Sequence, residues 1–262
     1  MPTSVHTVLI SNSSSKKAHK SSKMQAHITI VVLSSIFVGS IQMAPTESVD
    51  CSKLDEVVDD LSAAQAWSFA NDKYKIPTSA EGFAKSCLQS SDALKTLRKY
   101  NKQCNSALTQ QVFSAVLRTR TKMMESVCKA DTPENHAAVE ASKCASKNGQ
   151  IFKEIETKLI ADLYAVLEST ISDDKERLYR ACCLVNGSER KFLDVGKEKC
   201  REQQKVFADY MDSYTAEAMA LVCPQGKELD CDKYAPLKSD PSTKRSLFYL
   251  LPLMKLVKSL DH

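Results

Sequence analysis

The spacing of apolar residues along the chain predicts amphipathic helices. In two long segments these residues recur in steps of three and four, which places them on one face of an α-helix. They are Leu108, Val112, Val116 and Met123 in the first segment, and Phe152, Ile155, Leu159, Leu163 and Val166 in the second. Each segment therefore offers one apolar stripe to a shared core.

Residues that break helices are rare, since Pro77 and Pro133 are the only prolines between Cys51 and Cys223. Such scarcity favours long helices over many short strands. We expect an all-α fold, a disulfide-stapled bundle of about eight to nine helices with no sheet. Residues 224–241 hold three prolines and predict an irregular connection. The predicted helices are 52–73, 79–88, 91–104, 106–128, 133–147, 150–171, 173–185, 189–222 and 242–260.

Local signals suggest where these helices begin and end. Thr78-Ser79-Ala80-Glu81 has the pattern of a capping box, and Thr132-Pro133 places a cap before a proline at the first helical position. Asn148-Gly149 and Asn186-Gly187 tolerate the left-handed conformation that is common just after a helix. Gly196 is a candidate break within the eighth helix.

The N-terminal region has the layout of a secretory signal. The apolar run Ile28 to Ile41 follows four lysines and no acidic residue, and small residues favour cleavage after Ser40. An uncleaved anchor is the alternative, but the run is shorter than the ~20 residues that a membrane span needs. We therefore assign 1–40 to an extension and signal peptide, with Met24 as an alternative start, and 41–262 to an extracellular helical domain. Two subdomains meeting near residue 149 remain an alternative.

Loss of the leader changes the charge balance. Four of the 36 basic residues and none of the 32 acidic ones lie in it, so the remainder carries 32 of each. A neutral mature chain gives no reason to expect a nucleic-acid partner. Stable membrane insertion is not expected either, because no other apolar run is long enough.

An even number of cysteines after a signal peptide predicts disulfide bonds. A metal site is the alternative, but it would want a close C-x-x-C pair or nearby histidines, which are absent from the sequence. Cys182 and Cys183 are adjacent in the sequence. They would either form bonds to two different neighbours or form a vicinal bond with each other. Pairing stays open at this point. The ten cysteines are Cys51, Cys87, Cys104, Cys128, Cys144, Cys182, Cys183, Cys200, Cys223 and Cys231.

Candidate catalytic chemistry is scarce. Beyond the leader the only histidines are His136, in a predicted first helical turn, and the terminal His262. The acid pairs Asp59-Asp60 and Asp173-Asp174 have the pattern of solvated charge at helix ends. We expect no enzyme, no catalytic residue, no cofactor and no metal; a hydrolase with an unfamiliar site is the alternative.

Two apolar features have a core interpretation and a binding interpretation. The run 247–257 predicts a terminal helix, kinked at Pro252 and docked into the core; the alternative is a helix that contacts a membrane, a partner or a ligand. Trp67, Phe69 and Tyr74 are interpreted as core aromatics rather than a binding platform.

The cysteine and helix pattern from Cys87 to Cys231 resembles that of the arthropod 27-kilodalton haemolymph glycoproteins. Two segments carry the resemblance. The first runs from Cys87 to Leu108, where a helix between two cysteines leads into Ala107 to Val112, and Cys128 comes after it. The second runs from Glu198 to Cys223. It implies an extracellular, helical, glycosylated body-fluid protein without catalytic residues. The N-terminal extension and Cys182-Cys183 depart from the family pattern, so no bond pairing is carried over.

Two functions are compatible with these observations. One is a secreted carrier of a small apolar ligand, in which methionines adapt to varied shapes. The other is a protein-interaction partner or an immune or salivary effector without a small ligand; the partner is unknown in that case.

Asn186 begins a glycosylation sequon. The candidate ligand-facing methionines are Met123, Met124, Met211 and Met219.

Overall fold

Eight α-helices and no strand are present in the residues that the structure describes, which confirms the all-α prediction. The computed structural model describes residues 49–53, 69–70, 75–213, 215–223, 229–240 and 249–260. The helices are α1 (Ala80–Cys104), α2 (Ala107–Val127), α3 (Pro133–Lys147), α4 (Gly149–Leu167), α5 (Asp174–Lys199), α6 (Gln204–Asp212), α7 (Ala216–Val222) and α8 (Leu250–Ser259). Short 3-10 turns occur at Cys51–Lys53, Arg201–Gln203 and Cys231–Lys233.

Several sequence predictions fall on residues outside this description. They concern the leader 1–40, the greater part of the helix 52–73, Asp59-Asp60, Trp67, Tyr74 and His262.

Helix starts follow local capping chemistry. Thr132 caps α3 by accepting a hydrogen bond from the Asn135 N–H at 3.2 Å, with Pro133 at the first helical position, as predicted. The capping-box prediction is wrong by one residue, because Ser79 and not Thr78 caps α1, its hydroxyl accepting from the Gly82 N–H at 3.1 Å.

Helix α1 is continuous, whereas the sequence predicts two helices, 79–88 and 91–104. The polar residues at the expected break do not interrupt it, since Ser90 itself is buried. The buried stripe continues through this point from Phe83 to Leu94 and Leu97 at helical spacing. Burial of the stripe outweighs the weak local preference for a turn.

Helix α5 is also continuous, and it passes through the predicted stop at Asn186-Gly187. The expected helix 189–222 is instead divided into the end of α5, the turn Arg201–Gln203, α6 and α7. Gly196 does not break the helix. A Cβ atom at Gly196 would lie 3.3 Å from the Phe207 ring, so its bare backbone permits close packing of α6 on α5. Asn148 is not left-handed either, with φ −107°.

The core is built around four phenylalanine rings from distant parts of the chain. Phe152 lies at the centre, with ring centroids 4.9 Å from Phe69, 4.6 Å from Phe192 and 5.5 Å from Phe207. Phe69 therefore belongs to the core, as expected. The same apolar cluster includes Phe113 from α2, so the suggested boundary near residue 149 falls within a shared core.

The C-terminal helix α8 docks into this core. Leu251 is fully buried and Leu256 nearly so, which confirms the core interpretation of the apolar run in its described part. The predicted kink is wrong, because α8 begins at Leu250 and Pro252 lies in its first turn, where a helix needs no N–H donor. None of the helices in the described part of the chain is long and apolar enough to cross a membrane.

Candidate functional site

All ten cysteines form disulfides, which confirms that interpretation over a metal site. The adjacent pair does bridge two different neighbours, so the vicinal bond is excluded. Each bond ties a helix to the end of another helix or to a short turn. The pairs are Cys51–Cys104, Cys87–Cys128, Cys144–Cys200, Cys182–Cys223 and Cys183–Cys231.

A groove between α1, α2, α3, α6 and the start of α7 is the best candidate binding site. It has a volume of about 710 Å³ and is open to solvent on one side. We call it the methionine groove because two consecutive methionines lie in it. Its lining residues are Phe83, Thr119, Lys122, Met123, Met124, Ser126, Val127, Pro133, Glu134, Ala137, Ala138, Lys205, Val206, Asp209, Tyr210, Asp212, Ser213 and Glu217.

Hydrogen bonds between elements hold the walls of the methionine groove. The Thr119 hydroxyl donates to the Ser213 carbonyl oxygen at 2.7 Å, which joins α2 to the end of α6. The Asn135 side-chain amide donates to the Val127 carbonyl oxygen at 2.7 Å, which joins α3 to α2. The groove is consequently formed before any ligand arrives.

The floor of the groove is apolar and its rim is charged. Phe83, Met124 and Tyr210 are buried, whereas the charged residues that line it are exposed. Three of those charges are already paired: Lys205 with Asp209 at 2.5 Å, and Glu217 with Arg118 of α2. An apolar body would therefore lie on the floor, with its polar groups toward the rim.

One carboxylate beside the groove, that of Glu189, has a shifted pKa. Burial, followed by the negative charge of Asp212, raises the pKa of Glu189, while a hydrogen bond from the Thr215 hydroxyl at 3.4 Å opposes that rise. Asp212 lines the groove and Glu189 does not. The negative charge of Asp212 therefore disfavours ionisation of Glu189 at this end of the groove.

The four candidate methionines do not share one site. Met123 and Met124 line the methionine groove. Met219 instead lines a small, largely enclosed apolar space between α2, α7 and α8, and Met211 packs against the main core. That enclosed space has a volume of about 30 Å³, far below the ~300 Å³ at the lower end of small-molecule sites, so it cannot hold a drug-sized ligand.

Glu156 of α4, which is partly buried beside the aromatic core, has a strongly raised pKa. Burial raises the pKa of Glu156 to about 7, against the opposing effect of hydrogen bonds from the Ala70 and Phe69 N–H groups. Both N–H groups donate to the same oxygen, Oε2, at 2.7 Å for Phe69 and 2.8 Å for Ala70. Glu156 lines neither the methionine groove nor the small enclosed space, and it serves to hold the chain at 69–70.

The described residues bring no catalytic set together. His136 is exposed in the first turns of α3. Asp173 caps α5 by accepting from the Lys175 and Glu176 N–H groups, and Asp174 pairs with Arg177, so both have roles at a helix start. No group of three His, Cys, Asp or Glu side chains within the described ranges is arranged to hold a metal ion.

The sequon residue Asn186 lies in the interior of α5 and is half-buried. Its carbonyl oxygen accepts a hydrogen bond from the Arg190 guanidinium at 3.4 Å. Glycosylation at this position stays a prediction.

Sequence reasoning missed most of the groove. Phe83, Val206 and Tyr210 lie on it, yet they come from three segments that the periodicity treats separately. The signal in the sequence is the pair Met123-Met124. Two consecutive residues of a helix point in different directions, so one of the two methionines must lie outside the buried stripe.

The fold and the groove together define a class, that of all-helical proteins stapled by disulfides and carrying a preformed amphipathic groove. Comparison with family models, curated proteins and solved structures gave no match for this chain. The resemblance to the haemolymph glycoproteins therefore stays a prediction. Five intramolecular disulfides fit an oxidising, extracellular compartment.

Proposed function

We propose that the protein is a secreted, non-enzymatic carrier that binds a small, mainly apolar molecule in the methionine groove. The observation that carries the proposal is a preformed groove with an apolar floor and a charged rim. Its volume of about 710 Å³ lies within the ~300–1,000 Å³ typical of small-molecule sites. Met123 and Met124 supply side chains that adapt to ligands of varied shape.

A ligand would occupy the open methionine groove and not the interior of the bundle. The four phenylalanine rings of the core contact one another, and the enclosed space beside α8 has a volume of only about 30 Å³. Adaptable binding on an open surface fits a carrier that exchanges its ligand readily.

Filling the groove tests the proposal directly. Ala137 is half-buried in the lining, so Ala137→Trp places an indole in the groove without opening the core. The matched control is Ala84→Trp, at an exposed position of α1 that does not line the groove. The probe is N-phenyl-1-naphthylamine, a neutral apolar dye that fluoresces when it leaves water.

The wild type and Ala84→Trp should bind the dye alike, and Ala137→Trp should weaken binding by at least about tenfold. Native mass spectrometry of protein purified from secretion medium should show a bound small molecule that Ala137→Trp lacks. Equal dye binding by both tryptophan variants would reject the groove as the site. A ligand-free mass together with recovery of a protein partner would favour the interaction-protein alternative.

Secretion has a separate test. Expression of the full chain in a secretory host should yield extracellular protein that begins at Ile41, as read by N-terminal sequencing. An endoglycosidase should lower its mass, and Asn186→Gln should abolish that change. Retention of the intact chain in the cell membrane would support the anchor alternative instead.

A further inference from the structure

Positive charge is concentrated in the hairpin formed by α1 and α2. The whole chain is close to balance, with 36 basic and 32 acidic residues. From Ala93 to Met124, however, there are seven basic residues and no acidic one. They are Lys95, Arg98, Lys99, Lys102, Arg118, Arg120 and Lys122.

Three of these cations line one groove, which we call the basic groove. Arg98 and Lys102 lie one turn apart on α1, and Arg118 lies on α2 across the hairpin. The groove has a volume of about 720 Å³ and is open to solvent. The described residues that line it include no carboxylate. It is separate from the methionine groove, and no lining residue is common to the two.

Side-chain amides join the walls of the basic groove. Asn101 is 4% exposed, and its side-chain amide donates to the Gln110 carbonyl oxygen at 3.2 Å and to the Ser114 hydroxyl at 2.9 Å. In return, the Gln110 side-chain amide donates to the Asn101 and Lys102 carbonyl oxygens at 3.3 Å. These bonds hold α1 and α2 together, so the cations are positioned before any ligand binds.

Two of the three cations have no partner of opposite charge among the residues that the structure describes. Arg118 pairs with Glu217 of α7. Arg98 donates only to the Thr121 hydroxyl, and neither Arg98 nor Lys102 pairs with a carboxylate of the described residues. Arg98 and Lys102 are both exposed, so their remaining N–H donors face solvent.

We propose that the basic groove binds a small hydroxylated molecule that carries two or more sulfate or phosphate ester groups. A guanidinium offers a planar fork of donors that matches a tetrahedral oxyanion, and an ammonium binds such an ion as a point charge. Because the cations lie on both walls, a ligand with separated anionic groups gains more than a single ion does. Exposed Gln111 supplies a neutral partner for hydroxyl groups.

Isothermal titration of the full mature protein tests the inference with two polyanions, a trisulfated heparin disaccharide and inositol hexakisphosphate. Inorganic sulfate and inorganic phosphate are the single-ion comparisons. At about 0.1 M ionic strength the Debye length is about 10 Å, so the distant field of the protein is largely screened. Binding of the disaccharide would show that the groove accepts sulfate esters, and binding of the inositol compound that it accepts phosphate esters.

The groove variant is Arg98→Gln with Lys102→Gln, and the matched control is Lys95→Gln with Lys99→Gln. Both variants remove two charges one turn apart from exposed positions of α1, but Lys95 and Lys99 do not line the groove. The groove variant should lose at least about tenfold in affinity, because charge-assisted hydrogen bonds are lost. The control should stay within about threefold.

A second variant leaves the hairpin untouched. Leu221 is 52% exposed at the edge of the groove, so Leu221→Glu places a carboxylate beside the cations without removing a buried group. It should also weaken polyanion binding. Absence of polyanion binding at millimolar concentration, equal losses in both double variants, or inorganic ions that bind as tightly as the polyanions would each overturn the inference.

Discussion

Glu156 makes the stability of the fold depend on pH in a direction that can be worked out from its surroundings. Burial raises the pKa of Glu156 from its ordinary 4.5 to about 7, so the folded chain keeps a proton that the unfolded chain releases above pH 4.5. A state that binds more protons loses stability as the pH rises. The contribution of Glu156 should therefore be greatest below about pH 4.5 and fall as the pH rises to about 7.

The perturbation is Glu156→Gln. Both backbone N–H groups of Phe69 and Ala70 donate to one oxygen, Oε2, and the amide oxygen of glutamine can accept them in its place. The variant thus keeps the two hydrogen bonds and removes the titration. The pKa difference between about 7 and 4.5, at about 1.4 kcal/mol per pH unit, sets an upper bound of about 3 kcal/mol on the effect.

The assay is urea unfolding at intervals from pH 4.5 to pH 7.5. Relative to Glu156→Gln, the wild type should lose up to about 3 kcal/mol of unfolding free energy across this range. Glu154→Gln, an exposed position on the same helix, serves as the control and should follow the wild type. A constant difference between the wild type and Glu156→Gln across the range would refute the buried, proton-holding role.

Two further predictions concern packing and cross-linking. Gly187→Ala should stabilise the protein by about 0.5–1 kcal/mol, because its Cβ meets nothing within 4 Å and alanine favours a helix. Gly196→Ala should lack this gain, since its Cβ would lie 3.3 Å from the Phe207 ring; equal gains in thermal unfolding would contradict the close packing. Replacing Cys87 and Cys128 by alanine should lower the unfolding free energy by about 4 kcal/mol, and unchanged urea unfolding would contradict a structural role for that bond.

The sequence predicted which segments are helical better than it predicted where helices end. Pro133 and its cap were identified because both signals act within one turn. The prediction of a helix end at Asn186-Gly187 is wrong. Glycine disfavours a helix locally by only about 1 kcal/mol. Burial of the helix face that continues from Val185 to Phe192 outweighs that preference. The tertiary packing that decides this contest cannot be read from a local window.

The candidate site was less accessible to sequence reasoning than the fold. Met123 and Met124 were identified, but the opposite wall of their groove depends on the break between α5 and α6. The sequence predicts one helix over 189–222, which leaves the direction of Tyr210 undetermined. A groove assembled from segments more than a hundred residues apart requires the packing of those segments.

The pairing of the cysteines divides the covalent network into two closed halves. Two bonds join residues between Cys51 and Cys128, the other three join residues between Cys144 and Cys231, and none crosses the interval 129–143. A protease that cuts once at exposed Lys129 would leave two internally cross-linked pieces held by packing alone. On a non-reducing denaturing gel the two pieces would separate. A single cut within 51–128 or 144–231 would release no piece until a reductant was added, because disulfide bonds span each of these ranges.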